Sequence, residues 1–297
     1  MTPTPGGFDS LAGAGAGAGT GTGTGTGQGA VAAASPSDAT VPAGIRTTGA
    51  GSSGATRIVL VRHGEAVCNV TGVCGGRIGC RGLTDGGRLQ VETLRDRLLA
   101  TGELSGADAL YASVLPRAVE TAELLRPALG GPDAGTAPPE IVEECGLCEL
   151  HPGDADGLTW GEFTERFGTL DWDTDPGHPI APGGESWTGF VNRVDATLDT
   201  LAARHAGQLV VVACHAGVIE ASLLAKLPVV GGLAGARLQL RTRHASMTGW
   251  EIEGGRWRLL GFNDASHHQF ATVTQQAVTQ QAATQQAATQ QAATQQA

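Results

Sequence analysis

The apolar pattern of this chain predicts an α/β fold, a three-layer sandwich around a mostly parallel central sheet. Three observations carry that expectation. Short continuous apolar runs at 57–61 and 209–213 are long enough for buried strands and too short for helices. Segments with helical apolar spacing alternate with them. Both runs end directly in a histidine loop, Arg62-His63-Gly64 and His215-Ala216-Gly217. In open α/β sheets, ligands bind beyond the carboxyl ends of the strands, so two histidines 152 positions apart fall where a site would form.

The elements follow in order. Arg57 to Val61 reads as a first buried strand. Thr84 is placed to cap a helix running to about Ala100, with Val91, Leu94 and Leu98 on one face. Ala107 to Ala112 is a second strand. A helix from about Leu115 follows, presenting Ala118, Ala122, Leu125 and Leu129. Pro138 to Glu144 suits a further strand. Gly183-Gly184-Glu185-Ser186 opens a helix lined by Phe190, Val194, Leu198 and Leu201. Leu209 to Ala213 is a strand, and a helix runs on to about Ala225. Met247 to Ile252 and Trp257 to Phe262 form a hairpin around Gly254-Gly255.

Both ends differ from this core. Residues 1–54 are almost all Gly, Ala, Thr, Ser and Pro, and between Ala12 and Gly29 Gly alternates mostly with Ala or Thr. Such a stretch has too few large apolar groups to offset its ordering entropy, and reads as a disordered tail. Residues 273–297 repeat Thr-Gln-Gln-Ala and read as a low-complexity tail. Residues 55–272 then make one globular domain.

The formal net charge of −10 argues against nucleic acid or an anionic membrane as partner. No window is apolar enough to span a bilayer, and no basic n-region precedes an apolar stretch near Met1. The expectation is a soluble cytoplasmic protein of unspecified oligomeric state. Lys226 is the sole lysine, so the placement of arginines carries information. Cys145-Gly146-Leu147-Cys148 is a single CxxC without a second pair at zinc-finger spacing. It reads as two small apolar residues near a strand end, with a redox or metal site as the alternative. His151, His178, His205, His244, His267 and His268 read as surface or structural. The aromatic group Trp160, Phe163, Phe167, Trp172 and Trp187 reads as packing against the sheet rather than a substrate lid.

Phosphoryl transfer needs an in-line nucleophile and positive groups around the equatorial oxygens. A neutral imidazole can be that nucleophile and form a phosphohistidine. Arginine suits the oxygens because its fork binds phosphate in two-pronged fashion and stays charged. Arg62 and His63 on one loop, Arg117 at a helix start and His215 on the second strand-end loop meet that description.

Five blocks occur in order: Val61-Arg62-His63-Gly64-Glu65, Ser113-Val114-Leu115-Pro116-Arg117, Leu147-Cys148-Glu149, Pro182-Gly183-Gly184-Glu185-Ser186 and Val211-Val212-Ala213-Cys214-His215. Together they resemble the histidine phosphatase superfamily, the phosphoglycerate-mutase-like group of branch 1 type. Gly261 to His267 is similar to that family's closing segment. The resemblance implies His63 as nucleophile, with Arg62, Arg117 and His215 forming the phosphate pocket. It also implies that Asn69 helps hold the phosphoryl group, that Glu149 gives and takes the proton, and that neither metal nor cofactor takes part.

Two blocks depart from the family's pattern. An Asp-x-Pro-Leu-Thr segment is replaced by Cys80-Arg81-Gly82-Leu83-Thr84, which makes Arg77 and Arg81 candidates to touch substrate. Gly-x-Trp-Glu-Gly is replaced by Gly153-Asp154-Ala155-Asp156-Gly157, which makes Asp154 and Asp156 candidates to share the role of Glu149. The resemblance leads to a metal-independent phosphatase. The alternatives are a cofactor-dependent mutase and a silent phospholigand-binding protein. Only 32 residues separate Glu149 from Pro182, with Arg166 their single basic residue besides histidine. That segment serves a doubly anionic substrate poorly, which favours hydrolysis.

Overall fold

The computed structural model describes residues 54–131, 136–226 and 240–268. Apart from Gly54, the two tail assignments lie outside these residues. The described chain builds one six-stranded sheet in the order β3-β2-β4-β1-β5-β6. Its strands are β1 (Thr56–Arg62), β2 (Ala109–Ala112), β3 (Ile141–Glu143), β4 (Leu209–Cys214), β5 (Met247–Glu253) and β6 (Arg256–Asp264). The first four run parallel, and the β5–β6 hairpin is antiparallel to β1 at one edge. The hairpin turns through Gly254 and Gly255, both at positive φ (56° and 76°), the geometry a two-residue turn requires and only glycine takes without strain.

Successive residues of β1 and β4 face opposite layers. Ile58, Leu60, Val210 and Val212 point into one core. Val59, Val61, Val211 and Ala213 point into the other. On the first face lie α5 (Trp187–Arg204) and α6 (Ala216–Lys226). There Phe190, Val194, Leu198 and Leu201 of α5 are buried as expected. On the second face lie α2 (Asp85–Thr101) and α3 (Pro116–Leu125), with Val91, Leu94, Leu98, Ala122 and Leu125 buried. Full burial of each leucine stabilises the fold by about 1.5–3 kcal/mol. Thr84 caps α2, its side chain accepting from the Gly87 N–H, and Ser186 caps α5 through the Gly189 N–H.

Two further helices have weaker sequence signals. α1 (Val67–Thr71) follows β1 directly, and its first turn is closed by Asn69, whose Oδ1 accepts from the Ala66 N–H at 2.9 Å. α4 (Trp160–Phe167) opens with Thr159 and Glu162 in a reciprocal capping box. The aromatic residues around it pack as expected. Phe163 and Trp172 join the α5–α6 core, and Trp172 stacks on Trp187. Among the described residues, no helix is long and apolar enough to cross a membrane.

His267 is buried beside the Arg97–Asp264 ion pair, and neither ring nitrogen has a hydrogen-bond partner among the described residues. Burial pushes its pKa down to about 3, and the neighbouring His268 and Arg97 add to the effect. The unfolded chain therefore binds a proton near the ordinary histidine value that the folded chain refuses. Stability is full above that value and falls as pH drops toward 3. His267→Leu removes this linkage. Urea unfolding should show wild-type stability falling more than the variant's between about pH 7.5 and about pH 4.5, by on the order of 2 kcal/mol. Equal losses in both proteins would refute the assignment.

Candidate active site

The parallel register of β1 and β4 pairs Arg62 with Cys214, and the His63 N–H donates to the Cys214 carbonyl at 2.9 Å. Adjacent strand ends thus deliver His63 and His215 to one place. Their rings meet edge to face with centroids 5.2 Å apart. Both imidazoles are fully buried. Gly64 follows because a Cβ there would lie 2.3 Å from the Gly87 carbonyl oxygen at the start of α2.

Hydrogen bonds set the state of His63. Its Nδ1 lies 2.6 Å from the Gly64 carbonyl, an acceptor only, so Nδ1 carries a proton. The Arg117 Nε–H donates to His63 Nε2 at 3.2 Å, so Nε2 holds its lone pair. The ring is a neutral imidazole in the tautomer a nucleophile at Nε2 requires.

Three groups supply positive charge or donors around it. Arg117 leaves the first turn of α3 only 3% exposed, and its Nη1 donates to the Gly75 carbonyl at 2.7 Å. Arg62, the last residue of β1, donates to the Thr242 carbonyl through Nη1 and lies 2.8 Å from His244 Nε2 through Nη2. His215 Nε2 is 2.8 Å from Ser113 Oγ. The Ser113 hydroxyl in turn donates to Cys148 Sγ at 3.4 Å, which places a proton on His215 Nε2.

Asn69, Arg117 and Glu149 line one open cleft, whose other walls include Val73, Leu150, Trp160 and Ile180. Glu149 is fixed at the start of α6. Its Oε2 accepts from the Gly217 N–H at 3.1 Å and its Oε1 from the Leu150 N–H at 3.2 Å, a favourable place for a carboxylate on the helix dipole. A Cβ on Gly217 would come within 2.1 Å of Glu149 Oε1, so glycine is required for this approach.

The candidates left open by the two divergent blocks differ in their surroundings. The two oxygens of Asp156 accept from the Ile78 and Gly79 N–H groups, each at 2.9 Å. Asp154, Arg77 and Arg81 are exposed. Cys80, the first residue of the other divergent block, sits beside Arg117. A hydrogen bond with Cys68 and the Arg117 charge hold its thiol well below the usual range. Two neighbours carried no sequence signal. His244 packs against His63 at 5.8 Å between centroids. Glu220 on α6 lies close enough to Glu149 to feel its charge, and burial together with that charge pushes its carboxyl up to about 7.

Residues 58–265 match the model of the histidine phosphatase superfamily, branch 1. The chain belongs to that superfamily. This phosphatase is 30% identical over 220 residues to a metal-independent phosphoserine phosphatase of Arabidopsis thaliana, covering 71% of this chain and 83% of that protein. It is 28% identical over 218 residues to a phosphoglycerate mutase-like protein of the same plant, covering 71% and 86%. Among solved structures it is similar to a mycobacterial glucosyl-3-phosphoglycerate phosphatase bound to vanadate (VO3), with a TM-score of 0.55, 27% identity, and coverage of 70% and 98%. The enzyme is thus a phosphoric monoester hydrolase of the phosphoglycerate-mutase-like fold.

Proposed function

We propose that the enzyme hydrolyses a small phosphomonoester without a metal, through a phosphohistidine on His63. The tautomer of His63 carries this reading: with Nδ1–H held by the Gly64 carbonyl, Nε2 is the one nitrogen able to attack. The Arg117 Nε–H donates to that lone pair. An incoming phosphate draws the guanidinium onto its own oxygens and leaves Nε2 in line with the leaving group. Arg62, His215 and Asn69 complete the grip on the three equatorial oxygens. The His63–phosphorus bond forms as the ester oxygen departs, taking a proton from Glu149. The Glu149 carboxylate then takes a proton from water, the water oxygen attacks phosphorus, and His63 leaves.

The ester group would rest against Val73, Leu150, Trp160 and Ile180, the apolar side of a cleft that Asn69, Arg117 and Glu149 make polar elsewhere. That lining, with Arg166 as the only arginine or lysine between Glu149 and Pro182, favours substrates without a second anionic group near the phosphate. The cysteines are all free thiols, in keeping with a reducing cytoplasmic setting.

The test is release of inorganic phosphate from a panel of phosphomonoesters after incubation with EDTA. Turnover that needs no added Mg²⁺ is expected. Turnover lost to EDTA and restored by Mg²⁺ would overturn the metal-independent scheme. Interconversion of 3-phosphoglycerate and 2-phosphoglycerate faster than phosphate release would replace hydrolysis by a mutase reaction.

A further inference from the structure

The CxxC segment has a third member that its spacing alone did not recruit. Beyond β3 the chain turns through a short 3-10 segment, Cys145–Leu147, closed by the Cys148 N–H donating to the Cys145 carbonyl at 3.0 Å. This turn puts both sulfurs on one side, with Sγ atoms 3.7 Å apart. His151 comes back over them, its Nε2 3.6 Å from Cys145 Sγ. All three ligand atoms lie within 4.8 Å of one another.

We infer that Cys145, Cys148 and His151 form a zinc site that fastens the loop carrying Glu149. Zinc–sulfur bonds of about 2.3 Å and zinc–nitrogen bonds of about 2.0–2.1 Å give a tetrahedron with edges of roughly 3.8 Å between sulfurs and roughly 3.6 Å between sulfur and nitrogen. The Sγ–Sγ spacing of 3.7 Å and the Cys145 Sγ–His151 Nε2 spacing of 3.6 Å match those edges.

The surroundings are built for such a site. The other ring nitrogen of His151, Nδ1, lies 3.5 Å from Glu185 Oε2, and the same oxygen accepts the His151 N–H at 2.9 Å. A carboxylate behind a histidine is the arrangement that aims the opposite nitrogen at a metal and keeps it there. Glu185 is itself held by Arg193, at 2.8 Å through Nε and 2.6 Å through Nη2. Arg193 Nη1 also donates to the Gly146 and Cys148 carbonyls, at 2.9 and 3.1 Å. Cys148 Sγ accepts the Ser113 hydroxyl, and the Arg77 guanidinium lies 4.0 Å from Cys145 Sγ, so each sulfur has a partner suited to a thiolate.

Two thiolates and a neutral imidazole balance one divalent ion, and binding releases two thiol protons. Thiolate donors select zinc over magnesium or calcium. The three protein ligands leave one position for water. Glu149 lies in sequence between Cys148 and His151, so the ion would fix the segment from which the proton donor projects. It takes no part in the phosphoryl step, and the inference does not depend on the proposed mechanism.

The experiment uses the full chain, stripped with a chelator and kept reduced, and titrated first with Co²⁺ and then with Zn²⁺. One equivalent of Co²⁺ should give an intense near-ultraviolet thiolate-to-cobalt band with tetrahedral visible bands, which Zn²⁺ then bleaches. Zinc should also raise Tm. Glu185→Gln should weaken binding by about 10–100-fold. Cys145→Ser and His151→Ala should abolish the one-equivalent site. His151 is partly exposed, so its variant should fold even if a cysteine variant does not. Absence of the thiolate band in wild type, or full binding retained by His151→Ala, would overturn the site. So would a Cys145–Cys148 disulfide that persists under reduction without metal uptake.

Discussion

His63→Ala is expected to lower turnover on the order of 10⁴-fold or more, because removing a covalent nucleophile deletes the reaction path rather than weakening a contact. The variant should remain folded. The main-chain hydrogen bond from residue 63 to the Cys214 carbonyl is kept, and the β1–β4 register does not depend on the side chain. Phosphate affinity should survive, since Arg62 and Arg117 remain, and loss of the imidazole frees the Arg117 Nε–H now spent on Nε2. The expected signature is therefore negligible kcat with phosphate or vanadate still bound, read by product assay and calorimetry. A His63→Ala protein with near wild-type kcat would remove the nucleophile from the scheme.

Glu149→Gln is expected to lower kcat by about 10²–10⁴-fold on alkyl phosphates, the usual range for loss of a general acid. The loss should depend on the leaving group. An alkoxide needs a proton as it departs, whereas p-nitrophenolate does not, so p-nitrophenyl phosphate should show a much smaller defect in the first step. The second step still lacks a base for water, so that substrate should give a burst of p-nitrophenol followed by slow turnover. The amide oxygen of glutamine can accept the Gly217 N–H as the carboxylate does, which keeps the start of α6 intact. Equal defects with both leaving groups and no burst would assign Glu149 a structural role only.

The parts of the fold that were legible in advance have local causes. β1 and β4 are buried on both faces, so their apolar runs need no partner to be recognised. α2 and α5 carry a hydroxyl cap before a 3.6-periodic stripe, and Thr84 and Ser186 cap as their positions require. α1 was missed because five residues show no period and Ala66 offers no capping side chain. α4 was missed although Thr159 and Glu162 form a capping box. That signal was present but lay inside an aromatic cluster read only for its packing.

The site divides the same way. His63 and His215 were legible because each ends a recognisable strand, and the in-register pairing brings the two ends together. His244 and Glu220 belong to no such pattern, and only folding sets them beside His63 and Glu149. Cys145 and Cys148 read as small apolar residues until the turn after β3 set His151 against them. The aromatic group serves two ends: Phe163 and Trp172 are core, whereas Trp160 lines the cleft.

The most direct measurement is rapid acid-free quenching of the enzyme with ³²P-labelled substrate, followed by peptide mapping of the label. The scheme predicts one acid-labile, alkali-stable phosphoryl group on His63, formed and lost at rates that account for turnover, and longer-lived in Glu149→Gln. Full turnover with no labelled protein at any time, or label on a residue other than His63, would contradict it.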